Sequence, residues 1–220
     1  MKALKIIALL SLFFSGHINA QEHDSAPRIT PIPIEVFAGN KYLNVQLVVA
    51  KNFSQKSKWG YFNVTSFRGD YKNNLTKNEF FTQSLLNYKL FKGLSLTAGF
   101  TLNQKTGFRK VAGLQYVFAN QKWLLIAVPT IDLSDNHNLE TFSLLEFKPK
   151  LTDKIGLYTR LQGLYIHNPK DMHHERSFIA LRAGLSIKNY QFGLGADGNW
   201  YGPYKVFKDN FGIFARVQLN

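Results

Sequence analysis

The sequence predicts an all-β fold: an antiparallel, up-and-down transmembrane β-barrel of about 12 strands, with 10 as the competing count. Three observations lead there. Apolar and polar residues alternate with a period of two over most of the chain. The first 20 residues have the layout of an export signal. After them, no apolar run approaches the roughly 20 residues that a spanning helix needs, so any membrane crossing must be made by strands.

Taken in order, residues 1–20 read as a cleaved signal peptide. Lys2 and Lys5 give the positive start, residues 6–14 the short apolar core, and Ser15, Gly16 and the Ile18-Asn19-Ala20 end the cleavage region. Residues 21–30 form a polar, flexible lead-in, and residues 31–220 a single barrel domain. The chain has no cysteine. That excludes disulfides and a lipid-modified N-terminal cysteine, and leaves packing and hydrogen bonds to hold an exported protein together. Two of the 27 basic residues and none of the 14 acidic ones lie in the signal, so the formal charge falls from +13 to +11 on cleavage.

The clearest strands alternate an oily face with a wet one. Near the end of the chain Phe211, Ile213, Ala215, Val217 and Leu219 alternate with Asn210, Gly212, Phe214, Arg216 and Gln218. Leu43, Val45, Leu47 and Val49 alternate with Asn44, Gln46 and Val48. Comparable patterns run through residues 94–103, 108–118, 155–165, 179–188 and 190–200. Residues 59–68 and 123–133 read as strands of unassigned face, with Pro129 marking a bulge or the edge of the membrane zone. In residues 79–91, Thr82 and Ser84 share a face with Phe80, Leu86 and Tyr88; in residues 139–151, Glu140 and Glu146 share one with Lys148 and Lys150. An even total requires a further strand near residues 33–37.

Connections alternate between short ones, such as Lys92-Gly93 and Lys188-Asn189, and longer ones at residues 69–78, 167–175 and 201–208. Short inner turns and longer outer loops are expected of outer-membrane barrels. Trp59, Tyr61, Tyr88, Tyr116, Trp123, Tyr165, Trp200 and Tyr201 fall mostly near segment ends, where amphipathic rings make two girdles at the membrane boundaries.

This architecture resembles the small outer-membrane β-barrel proteins of Gram-negative bacteria, particularly compact 12-strand porin-like channels. The resemblance covers about residues 31–220 and rests on no short motif. It implies residence in the cell outer membrane, insertion by the barrel-assembly machinery, and contact with lipid and lipopolysaccharide. Such barrels often finish on an aromatic residue; this sequence has Leu219 followed by Asn220.

Arg109, Arg160, Arg182 and Arg216 lie on the wet faces of their strands and would point into the lumen, forming a path for small anionic solutes. Glu140, Glu146 and Asp197 also point inward and would pair with those arginines to plug it. A weakly anion-selective channel and a structural barrel without catalysis therefore both remain open. A lipid-modifying esterase or deacylase would need a serine–histidine pair on the outer surface; His137, Ser143 and His167 are the residues in reach of that idea. A soluble periplasmic carrier of an apolar ligand, lipocalin-like, is the remaining alternative. His167, His173 and His174 are weak metal candidates, since adjacent histidines seldom point the same way; no metal and no cofactor is expected. No G-x-x-x-x-G-K-[ST] or G-x-G-x-x-G pattern opens a helix, and inward glycines such as Gly184, Gly193, Gly195 and Gly212 relieve crowding instead. The basic charge is expected to meet lipopolysaccharide phosphates through Lys72, Lys77, Lys170, Lys205 and Lys208 rather than nucleic acid.

Overall fold

A computed structural model describes residues 31–72 and 74–219. The signal at residues 1–20 and the lead-in at 21–30 lie outside the described residues. Twelve strands follow one another: β1 (Ile32–Gly39), β2 (Tyr42–Asn52), β3 (Trp59–Asp70), β4 (Glu79–Phe91), β5 (Leu94–Asn103), β6 (Gly107–Ala119), β7 (Trp123–Asp132), β8 (Leu139–Phe147), β9 (Ile155–Asn168), β10 (His173–Ile187), β11 (Tyr190–Tyr201) and β12 (Val206–Leu219). Each pairs antiparallel with its neighbour in sequence, and β1 closes on β12. Closure leaves no sheet edge, which a bilayer core would not tolerate. The only helical piece among the described residues is the turn Leu75–Lys77, capped by the Asn74 side chain.

Register carries the face pattern around the wall. Glu35 lies opposite Gln46 and Arg216, Arg160 opposite Glu146 and Arg182, and Arg182 opposite Gly195. Directly opposed residues point to the same side, so one inward residue fixes the rest. Outward faces are apolar and exposed, as at Leu194, Phe211 and Ile213 on β11 and β12. Trp59 packs on Tyr88 (4.9 Å) and Trp123 on Phe147 (4.3 Å) at the end where β1 begins, called here the turn end. Trp200 packs on Phe207 (5.1 Å) and Phe100 on Phe108 (5.2 Å) at the opposite, loop end. These are two girdles. Tyr201 does not belong to them: it is opposite Arg176, inside the barrel, where its hydroxyl meets Glu79.

Three further expectations change. The loop-end connections are shorter than the sequence suggested. His173, His174 and Glu175 extend β10, and Val206, Phe207 and Lys208 extend β12, leaving only Pro169–Met172 and Gly202–Lys205 between strands. Strand pairing continues past the apolar segment because polar residues satisfy the ladder equally well there. Lys208 consequently sits on the wall with its Nζ 5.0 Å from the Tyr201 ring centre, not in a loop. Pro129 makes no bulge. The β6–β7 ladder skips the Leu114 and Gln115 positions and resumes in the same register at Tyr116–Ala127, as expected where proline lacks an N–H.

On β3 and β4 the outward faces carry Tyr61, Asn63, Thr65, Thr82 and Ser84. They satisfy one another: Thr65 Oγ1 lies 2.8 Å from Thr82 Oγ1 and donates to Asn63 Oδ1 (3.0 Å), and Tyr61 Oη lies 2.7 Å from Ser84 Oγ. Polar groups facing lipid are tolerated when their hydrogen bonds are made internally.

Candidate functional site

The interior has two unlike walls. From β2 to β9 an apolar cluster faces inward, with Phe62, Leu85, Val128, Phe142 and Leu144 all buried and Phe62 5.9 Å from Phe142. Across from it, β1 and β8–β12 carry charge. Glu35 is the centre of that wall. Its Oε1 accepts from Arg160 Nη2 (2.6 Å) and from Arg182 Nε (2.9 Å). Arg182 Nη1 donates to Asp197 Oδ1 (2.6 Å), whose other oxygen accepts from Asn44 (2.7 Å). A neighbouring knot joins Glu146 to Arg216 (2.9 Å), Lys148 (2.8 Å) and the Tyr158 hydroxyl (3.1 Å). The arginines rest on aromatic faces: Arg182 lies 3.9 Å from the Phe37 ring centre and Arg216 4.9 Å from that of Tyr158. Desolvated stacking of this kind stabilises by about 2 kcal/mol. Gly195 is required here, since a Cβ at that position would lie 2.8 Å from the Phe37 ring and 2.9 Å from Arg182 Cδ.

A third cluster stands nearer the loop end. Glu79 accepts from Arg68 (3.1 Å) and the Tyr201 hydroxyl (2.6 Å), its other oxygen lies 2.7 Å from the Arg176 guanidinium as an ion pair, and Arg68 also donates to Asn199 (2.7 Å). Arg109 stands apart and pairs with Asp132 (2.8 Å). Glu140 faces inward without an arginine partner and accepts from Gln83 Nε2 (3.0 Å).

The four arginines singled out in the sequence therefore all face the lumen, and each holds a carboxylate. Arg160, Arg182 and Arg216 come together with Glu146 and Asp197; Arg109 and Glu140 lie outside that group. Glu35, Arg68, Glu79 and Arg176 were missed. The signal for Glu35 was a single acid between Ile34 and Val36 in a short alternating strand. Arg68 and Glu79 fell in segments whose faces the pattern left open.

Charge and space divide the lumen along its axis. A turn-end vestibule of about 440 Å³ is bordered by Lys58, Lys89, Lys148, Arg160 and Arg216 against Glu35 and Glu146. A loop-end vestibule of about 650 Å³ has balanced charge, with Arg109, Arg176, Lys105 and Lys208 against Glu79, Asp132, Glu140 and Glu175. Between them, the network of Glu35, Arg160, Arg182 and Asp197 leaves only about 70 Å³.

The histidines do not converge. His173 Nε2 lies 3.0 Å from Glu175, His174 lies beside Ser177 and Gly202, and His167 is opposite His174 on the outer face. No group of three metal-binding side chains forms among the described residues. His137 is in the β7–β8 turn with Nδ1 3.3 Å from the Asp132 carbonyl, and Ser143 lies along β8 between Ala127 and Gly163, so that pair is not assembled.

A closed antiparallel cylinder of this kind has counterparts among solved structures. The barrel resembles the NanC porin. The two share 7% sequence identity at a TM-score of 0.50, over 86% of this chain and all of that one. The KdgM porin also aligns, with 9% identity and a TM-score of 0.45 over 86% of this chain and 99% of its own, and that porin has been seen in complex with disordered oligogalacturonate. No protein-family model matches the sequence, and no curated protein matches it. The likeness is thus one of fold: a closed, antiparallel 12-strand barrel similar to that of the NanC porin.

Proposed function

We propose that this barrel is a low-conductance outer-membrane channel with a weak preference for small anions, closed at mid-height by its own ion pairs. One observation supports the reading above others: two vestibules at opposite ends, of about 440 and 650 Å³, are separated by an arginine–carboxylate network on one wall packed against the apolar cluster of the other, so half of the closure is made of exchangeable ion pairs. Ion pairs of this kind exchange partners. A carboxylated or phosphorylated solute entering the turn-end vestibule meets Arg160 and Arg216 with the bidentate geometry that guanidinium groups favour. It competes there with Glu35 and Glu146 for the same donors. The lysines at the turn-end mouth raise the local anion concentration further.

In this reading residues 1–20 direct export and are removed. The short-turn end faces the periplasm, and Lys72, Lys77, Lys170 and Lys205 at the other end meet lipopolysaccharide phosphates. Assembly uses the barrel-insertion machinery despite the leucine at the last outward position.

Planar-bilayer recording tests it. The folded protein is expected to give small steps with a reversal potential displaced toward the anion. Arg160→Ala with Arg182→Ala should abolish that displacement. A complete lack of conductance would make the molecule a structural barrel, and a cation preference indifferent to both substitutions would remove the anion path.

A further inference from the structure

Residues three apart on a regular strand point to opposite sides of the sheet. His174 and Ser177 do not, because the β9–β10 register shifts between His174 and Arg176 and makes Glu175 the extra residue. Bulges of this kind re-aim side chains and gather beside active sites. His174 is opposite His167 and Ser177 is opposite Tyr165, so both lie on the lipid-facing surface.

There the imidazole makes two hydrogen bonds. His174 Nδ1 lies 2.8 Å from the Gly202 carbonyl oxygen, and Nε2 lies 2.9 Å from Ser177 Oγ. A carbonyl oxygen only accepts, so Nδ1 carries the proton. In the neutral ring Nε2 is then bare and accepts from the serine hydroxyl. The ring is 7% exposed and packs 5.7 Å from Tyr165. A nucleophile, its base and the acceptor that orients the base thus form one chain. Burial of the ring restricts it to that orientation.

We propose that Ser177 and His174 are a nucleophile–base pair that cleaves acyl esters of membrane lipids at the loop-end boundary of the bilayer. The level fits. Ser177 is opposite Tyr165 on one side and Trp200 on the other, within the aromatic girdle, where lipid headgroups give way to acyl chains. Along the same outward face of β10, Ile179 and Leu181 are about half exposed. About 13 Å from Ser177 at the usual rise per residue, a lipid-facing hollow of about 560 Å³ opens between Leu161, Leu181, Ala183, Leu194 and Ala196. An acyl chain lying in it would run up to the serine.

The reaction balances with water as the only co-reactant. Ser177 Oγ attacks the ester carbonyl carbon while His174 Nε2 takes the hydroxyl proton. Collapse of the tetrahedral intermediate breaks the bond to the lipid alcohol, which leaves with that proton. Water then gives a proton to Nε2 and attacks the acyl-serine. The serine–acyl bond breaks, Ser177 recovers the proton, and a fatty acid is released.

The test uses the full chain refolded into vesicles. A fluorophosphonate probe is applied, and fatty-acid release is measured from phosphatidylethanolamine–phosphatidylglycerol vesicles and, separately, from lipopolysaccharide; the two arms distinguish the lipid source. Probe adduct at Ser177 by peptide mass spectrometry is expected, with release from at least one lipid. Ser177→Ala should remove the adduct and lower release roughly a hundredfold, and His174→Gln should lower both while gel mobility on heating stays that of the folded barrel. Failure of folded wild type to acquire label at Ser177, or release unchanged in Ser177→Ala, overturns the proposal. Where a variant does not fold, the site of labelling on the wild type decides alone.

Discussion

The charged wall and the apolar wall of the lumen do the same job by opposite means. On β2–β9, Phe62 and Phe142 fill space, and each contact is replaceable by another of similar volume. On β1 and β8–β12, Glu35 is held by two guanidinium groups with all three side chains almost wholly buried. Such a group is worth little as a stabiliser compared with a hydrophobic replacement, because desolvation offsets the attraction. Breaking it is another matter, since a charge left alone in that environment is costly. The difference teaches where the barrel can change state: filling side chains have one good arrangement, whereas ion pairs have alternatives that an incoming anion can select.

Glu35→Gln should sharpen this contrast most. It leaves Arg160 and Arg182 facing each other across β9 and β10, and the expected loss is about 3–5 kcal/mol, read as a lower temperature for heat-induced unfolding in detergent. The same variant should raise conductance and strengthen anion preference. Adding Arg160→Gln to it should restore much of the lost stability, because Arg160 is the guanidinium whose ion pair was with Glu35, whereas Arg182 keeps Asp197; strictly additive losses would break the comparison. Phe142→Ala comes next. A loss of about 3 kcal/mol is expected, the low end for such a truncation, because the adjoining vestibules admit water to the space. Here conductance should rise with no change in selectivity, and a selectivity shift would mean that the two walls are not separable.

Smaller effects follow. Asn44→Ala removes one donor from Asp197, which keeps its Arg182 bond, and should cost about 1.5 kcal/mol in the same melting assay. Thr65→Val on the lipid side removes hydrogen bonds to Asn63 and Thr82, with an expected cost of about 1 kcal/mol or less and no effect on conductance. A larger loss at Thr65 than at Asn44 would mean that the lipid-facing polar cluster, not the lumen, holds this part of the wall.

Much of the wall was legible in the sequence because strand period and bilayer chemistry act together. Phe211 and Arg216 declare opposite sides of β12 with no knowledge of the partner strand. What joins across the lumen was not legible. Glu35 and Arg160 are 125 residues apart, and which level of one strand faces which level of another depends on the stagger of all the intervening pairs. Arg68 and Glu79 stayed hidden for a different reason: Asn63, Thr65, Thr82 and Ser84 make the outward faces of β3 and β4 look wet, so polarity did not separate inside from outside. His174 and Ser177 share a face only because of a bulge, and a one-residue irregularity leaves no mark in an alternating pattern. The girdle at Trp59, Tyr88 and Trp123 was readable, whereas Tyr201 was misplaced because an aromatic at a strand end serves equally as a lumen hydrogen-bond donor.

The missing rungs beside Pro129 give the cylinder a seam. Elsewhere along the described strands the ladders carry single-residue shifts, at Lys89–Phe91 and His174–Arg176, but at Leu114 and Gln115 two successive positions go unpaired. Backbone deuterium uptake should begin along that line, and mechanical or thermal opening of the wall should start there and travel outward along the flanking pairs. A barrel with such a seam can breathe sideways toward the bilayer without its ends coming apart.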